Sequence, residues 1–148
     1  MPVDIKLRNG MKTRVNVRHH EWHVDEPIED GGTDTAPTPG EMMLGALGSC
    51  MAITCQMYAN RKGWDLQGVD VKVDYERFSG KDYPLHDGDD LFVHEVRKGL
   101  TFHGNLDDKQ LKRLHEIATK CPIHRLLSTP TYFVELALEE DRKLEAVE

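Results

Sequence analysis

Two cysteines in dissimilar settings are the residues of this sequence best placed to do chemistry. Cys50 lies in the middle of Met42–Ala59, a run of eighteen residues without a charged side chain. Cys121 opens Cys121-Pro122-Ile123-His124, directly after a charged amphipathic stretch. A thiol in an apolar helix is ordinarily inert packing. A second thiol that meets it in space turns the two into a dithiol–disulfide couple. Gly45, Gly48, Ser49 and Ala52 surround Cys50 with small side chains. Such neighbours suit close packing of another backbone, and equally a narrow apolar pocket with a thiol at its base. Cys121 precedes Pro122, where it can act as N-cap to a new turn through Ile123, His124, Arg125 and Leu126. Its sulfur would then face free backbone N–H groups, which favour the thiolate, with His124 and Arg125 adding donors and positive charge.

Other chemistries fit the residues less well. Cys121-x-x-His124 is half of a zinc spacing, and Cys50 with Cys55 would supply the rest. On a helix, however, Cys50 and Cys55 point about 140° apart, so both cannot reach one ion. His19, His20 and His23 form a cluster in sequence, but on an extended strand His19 and His23 are roughly 13 Å apart. Gly45, Gly48 and Gly63 lie within or at the end of a helix, which is not the strand-to-helix placement of a phosphate loop. No Ser-His-Asp pattern stands out. Neither a metal nor a bound cofactor is expected.

The elements that must position the two thiols follow from the pattern. Val3–Leu7 reads as a strand, turned by Asn9-Gly10 into a second near Lys12–Trp22. Asp25 to Pro39 is rich in Pro, Gly, Asp and Thr and reads as a loop. Thr38 as N-cap, Pro39 at the first helical position and Glu41 at the third form a capping-box pattern. The helix runs to about Lys62 and stops at Gly63. Val69–Tyr75 alternates as a strand, Ser79–Asp90 is a polar loop, and Leu91–His103 is a strand expected to bend at Gly99. A second helix over Asp108–Lys120 carries Leu111, Leu114, Ile117 and Ala118 on one stripe. Thr131–Leu138 reads as a closing strand, and Glu139–Glu148 as a charged tail.

The order is β-β-α-β-β-α-β, which predicts an α+β fold with antiparallel sheet wrapped around the uncharged helix. Its 148 residues are expected to form a single domain: 1–37 as strands and loop, 38–63 as central helix, 69–138 as strands and second helix, 139–148 as tail. A chain of this size buries roughly 68–70% of its unfolded surface and needs no disulfide for stability. The formal net charge of −7 argues against nucleic acid or an anionic membrane as partner. Three cysteines, and a start without signal-peptide character, point to the cytoplasm and to reduced thiols. The uncharged run has the minimum length of a membrane span, but Gly45, Gly48, Ser49, Thr54 and Gln56 make a core helix the expectation. One short chain offers limited cover for a helix apolar on every side, so a homodimer is expected.

Pro39-Gly40-Glu41-Met42-Met43-Leu44-Gly45-Ala46-Leu47-Gly48-Ser49-Cys50, followed far downstream by Cys121-Pro122-Ile123-His124, resembles the OsmC/Ohr family. These are osmotically inducible and organic-hydroperoxide-resistance proteins. Gly31-Gly32 before the helix, the Tyr58-Ala59-x-Arg61-Lys62-Gly63-Trp64 exit and Gly104-x-Leu106-Asp107 resemble an OsmC-like branch, over roughly Gly10 to Leu138. The resemblance implies an intertwined homodimer, with curved antiparallel sheets backing two central helices, and a thiol peroxidase. Cys50 would be the peroxidatic cysteine and Cys121 the resolving one, with Cys55 as packing. Peroxidase members carry Pro-Glu at the helix start, where the carboxylate orients an arginine. Here Gly40 takes that place and Glu41 follows, rotated by about 100°. Arg14 and Arg18 are the available candidates for that arginine, with His124 and Arg125 as further supporting candidates. The implied substrate is an organic hydroperoxide or another small apolar molecule. The implied reductant is an external dithiol, lipoyl or thioredoxin-like. The alternative is a small-molecule binding protein or redox sensor with little turnover.

Overall fold

A computed structural model describes residues 2–135. The N-terminal part is an antiparallel meander of β1 (Asp4–Leu7), β2 (Thr13–Val17) and β3 (His20–Val24). Asn9 and Gly10 both take positive φ at the first turn, as their sequence requires. The strand expected over Lys12–Trp22 is instead two strands. Arg18 adopts a left-handed φ of 54°, and Val17 pairs with His20 across a two-residue turn. Arg18-His19 lacks the Asn or Gly that usually marks such a turn.

The loop after β3 is organised by one buried carboxylate. Asp25 accepts the backbone N–H groups of Thr33 and Thr35 at 3.2 and 3.1 Å and both threonine hydroxyls. Its own N–H donates to Pro37 O at 3.0 Å. The loop must also fold tightly at Gly32, where a Cβ would lie 1.9 Å from Glu26 O. These contacts deliver Thr38 to the start of α1 (Pro39–Lys62).

In α1 the capping box is present in both directions, and Gly63 closes the helix in the left-handed conformation. Its buried stripe is Leu47, Met51, Cys55 and Ala59, one residue per turn. The ribbon of β4 (Asp65–Ser79) and β5 (Phe92–Asn105) covers one side. Contact is close at Gly48, where a Cβ would lie 3.3 Å from Val73 Cγ2. The ribbon's register is continuous through Gly99, and its irregularity lies between Leu66 and Gly68 instead.

A second side of α1 is covered by α2 (Asp108–Ala118) and α3 (Pro122–Ser128). Leu114, Ile117 and Ala118 complete the core with Leu66 and Cys121. Each large side chain buried there contributes about 1.5–3 kcal/mol. No strand follows α3 among the described residues: 131–135 are irregular and exposed. The rest of the expected closing strand and the charged tail lie outside the described residues.

The enclosure expected for α1 is incomplete within one chain. Ile53 and Met57 are 58% and 67% exposed, on a side of the helix that the rest of the chain leaves open. Among the described residues α1 is also long and apolar enough to cross a membrane by length and composition. The mixed α+β architecture with antiparallel sheets and helices at its centre is the expected fold class.

Candidate functional site

Cys50 and Cys121 meet. Cys50 is half-buried on α1 and packs against the core cluster that contains Cys121, which is completely buried at the start of α3. The two thiols are near enough that Cys50 raises the Cys121 pKa. Local sequence explains the second position. Pro122 ends the chain's path out of α2 and occupies the first turn of α3, which leaves Cys121 as N-cap. Its sulfur accepts the His124 N–H at 3.2 Å. Burial pushes the Cys121 thiol above its ordinary range. The His124 N–H opposes that shift, and the contact with Cys50 reinforces it. No disulfide joins the cysteines in this structure.

Cys55 lies deeper. It is fully buried and donates its S–H to Leu114 O at 3.4 Å, across the α1–α2 interface. Burial, with the neighbouring Cys121, pushes its thiol up to about 11. The three sulfurs therefore form a series from half-open to closed: Cys50, then Cys121 and Cys55.

Cys50 opens onto a cavity of about 880 Å³ between α1, α2 and the start of α3. Ala46, Ile53, Met57, Ile117 and Pro122 make its apolar wall. Tyr58, Arg61, Arg113 and Lys120 also line it. Arg113 donates through Nε to the Tyr58 hydroxyl at 3.2 Å and through Nη1 to Glu116 at 2.7 Å. Arg61 and Arg113 also lie 5.5 and 5.6 Å from the Tyr58 ring centre. The Arg113 hydrogen bond lowers the Tyr58 pKa, helped by the charges of Arg113, Lys62 and Arg61 and opposed by burial.

The remaining sequence candidates fall elsewhere. The Glu41 carboxylate accepts the Thr38 N–H at 2.8 Å and so serves the capping box. Arg14 pairs with Glu21 at 3.2 Å on the N-terminal sheet, and Arg18 occupies the β2–β3 turn. Neither lines the Cys50 cavity within this chain. Arg125 is exposed on α3. The His124 side chain lines a separate cavity of about 180 Å³ with Leu47, Met51, His94 and Lys98. Burial there, and the Lys98 charge, lower its pKa. Among the described residues no cluster of three or more His, Cys, Asp or Glu could hold a metal.

The sequence reading missed the Tyr58–Arg113 pair. A usable signal exists, because Arg113, Ile117 and Lys120 follow one another at helical spacing on the face turned toward α1.

A family model described as OsmC-like protein matches residues 32–136. Comparison with curated proteins yields no match. Several solved structures are similar. A Psychrobacter arcticus protein, named for osmotic stress induction and a detoxification response, is 23% identical with a TM-score of 0.67 over 84% of this chain and 85% of its own. An OsmC-like protein of Mycoplasma pneumoniae is 18% identical with a TM-score of 0.66, covering 86% of each chain. An organic hydroperoxide resistance protein OsmC of Legionella pneumophila is 17% identical with a TM-score of 0.61, over 86% of this chain and 89% of its own. At these identities the structures speak for the fold.

Proposed function

The chain belongs to the OsmC-like protein family, and we propose that within it the protein is a cytoplasmic thiol peroxidase that reduces organic hydroperoxides. In this reading the Cys50 thiolate attacks the terminal peroxide oxygen. The O–O bond breaks, the alkoxide takes a proton and leaves as alcohol, and Cys50 becomes a sulfenic acid. The Cys121 thiol, once deprotonated, attacks the Cys50 sulfur, and water departs as the disulfide forms. An external dithiol, lipoyl or thioredoxin-like, is oxidised to return both thiols.

The supporting observation is a half-open sulfur on an apolar cavity that packs against the core cluster holding a second, sealed sulfur. That order lets peroxide reach Cys50 while Cys121 is reserved for the next step. The reading is tested by peroxide consumption, comparing hydrogen peroxide with a bulky organic hydroperoxide under dihydrolipoamide or thioredoxin. Faster consumption of the organic peroxide is expected. A binding protein with little turnover is the second reading, favoured by the absence of Arg14 and Arg18 from the cavity in one chain.

The reading includes a homodimer. Exposed Ile53 and Met57 on α1, and an N-terminal sheet that packs mainly on itself, are the surfaces a second copy would cover. Sedimentation at micromolar concentration should show no folded monomer.

A further inference from the structure

Lys98 breaks the pattern of the strand that carries it. On β5, Phe102 and Leu100 pack against the core. Side chains alternate along a strand, so the next positions on that face are Lys98, Val96 and His94. All three line the cavity of about 180 Å³ that His124 enters from α3. It shares no lining residue with the cavity beside Cys50. The groups facing it can be sorted by element. β5 contributes His94 and Lys98, α3 contributes His124, and α1 contributes only the apolar Leu47 and Met51. Tyr75 of β4 adjoins through its hydroxyl, 2.8 Å from His94 Nδ1. No carboxylate lines the cavity, and among the described residues Lys98 and His124 form no ion pair.

A lysine alone on such a face is accounted for by an apolar stem that carries its ammonium to water. Two histidines on the same cavity are not, because each would add its charge to that of Lys98 when protonated. A divalent cation is opposed by the ammonium, whereas an anion is attracted by all three side chains. We propose that this cavity binds a small inorganic oxyanion of the sulfate or phosphate type, held by Lys98, His124 and His94. The volume is enough for several waters, and so for one such ion. Charge-assisted N–H···O bonds would supply the affinity. His124 gives its main-chain N–H to Cys121 at 3.2 Å and its ring to the cavity, so the anion and the buried thiol share one turn. The site stands independently of the reaction the thiols perform.

The test is an NMR titration of the histidines in the full chain, in sulfate and in chloride at matched ionic strength. Sulfate keeps its charge across the histidine range, which phosphate groups do not. The His124 ring signals are assigned by their loss in His124→Gln. Sulfate should raise the His124 midpoint by about one pH unit, equivalent to roughly tenfold tighter binding when the ring is protonated. The effect should be half-complete at about 1–10 mM sulfate. Lys98→Met keeps an unbranched stem and removes the charge. It should raise the His124 midpoint in chloride, since the Lys98 charge now lowers it, and leave sulfate with little further effect. Lys98→Arg should keep the response to sulfate. Equal His124 midpoints in sulfate and chloride in the parent, a comparison that needs no variant to fold, overturn the proposal. An effect still rising at about 100 mM sulfate also overturns it, as general screening rather than a site. An undiminished sulfate effect in folded Lys98→Met overturns the role of Lys98.

Discussion

The backbone N–H of His124 points at Cys121 Sγ from 3.2 Å, so a thiol with no solvent exposure sits at a helix start. Two opposing influences act on it, and burial is the larger. The thiol is held above its ordinary range and remains protonated at neutral pH. Resolution by Cys121 should therefore accelerate as pH rises through and beyond 8. Stopped-flow decay of the Cys50 sulfenic acid over a pH series reads this directly, and a flat profile would remove Cys121 as the attacking thiol.

The two sulfurs should separate by function. Cys50→Ser should abolish hydroperoxide consumption. Cys121→Ser should still form the sulfenic acid but accumulate it and over-oxidise. A sulfenic-acid probe with mass spectrometry distinguishes the outcomes. Undiminished turnover of Cys121→Ser with a dithiol would end the resolving assignment.

Cys55 offers a contrasting case. Cys55→Ala removes a buried sulfur and its bond to Leu114 O, at a cost of about 1–2 kcal/mol in stability. Peroxide consumption should be unchanged at temperatures where the variant is folded. Urea denaturation together with the peroxide assay checks both halves.

Glu41 distinguishes capping from chemistry. Glu41→Gln keeps a side chain able to accept the Thr38 N–H and loses the charge. If capping is its only task, Glu41→Gln should match the parent in melting temperature and rate. Thr38→Ala should cost about 1 kcal/mol. A large rate loss in Glu41→Gln without loss of stability would give the carboxylate a further role.

Asp25 should show in acid. Its hydrogen bonds, the Thr33 hydroxyl foremost, hold the carboxyl far below the usual carboxylate range. A depressed folded-state pKa stabilises the fold above the unfolded value of about 3.9, and that stability is lost as pH falls below it. Asp25→Ala should lower the urea midpoint at pH 7, and the difference from the parent should shrink between about pH 4 and 2.

Legibility in the sequence followed how local the cause is. Thr38-Pro39-x-Glu41, Gly63 and Cys121-Pro122 announce helix ends through interactions a few residues long, and each end lies where its residues place it. The Asp25 node depends on Thr33 and Thr35 folding back over eight and ten residues, which composition alone reads only as loop. The Arg18 turn carries no turn residue, so the alternation ran through it. Tyr58 and Arg113 are fifty-five residues apart and meet only because α2 packs on α1. The cysteine contact has greater separation still. The local settings single out each thiol, but that the two meet came only from the family resemblance.

The sealed position of Cys121 behind Cys50 also dictates the regiochemistry of repair. In a Cys50–Cys121 disulfide only the Cys50 sulfur borders the open cavity, so an incoming thiolate attacks there and Cys121 becomes the leaving group. Any mixed disulfide with a reductant is thus carried on Cys50. Burial that raises the Cys121 thiol makes it a slow leaving group. In the proposed cycle the oxidised pair would be correspondingly resistant to small monothiols, whose mixed disulfide on Cys50 would be readily reversed when Cys121 attacks back. A dithiol would escape that reversal, because its second sulfur would displace Cys50 and complete the reduction.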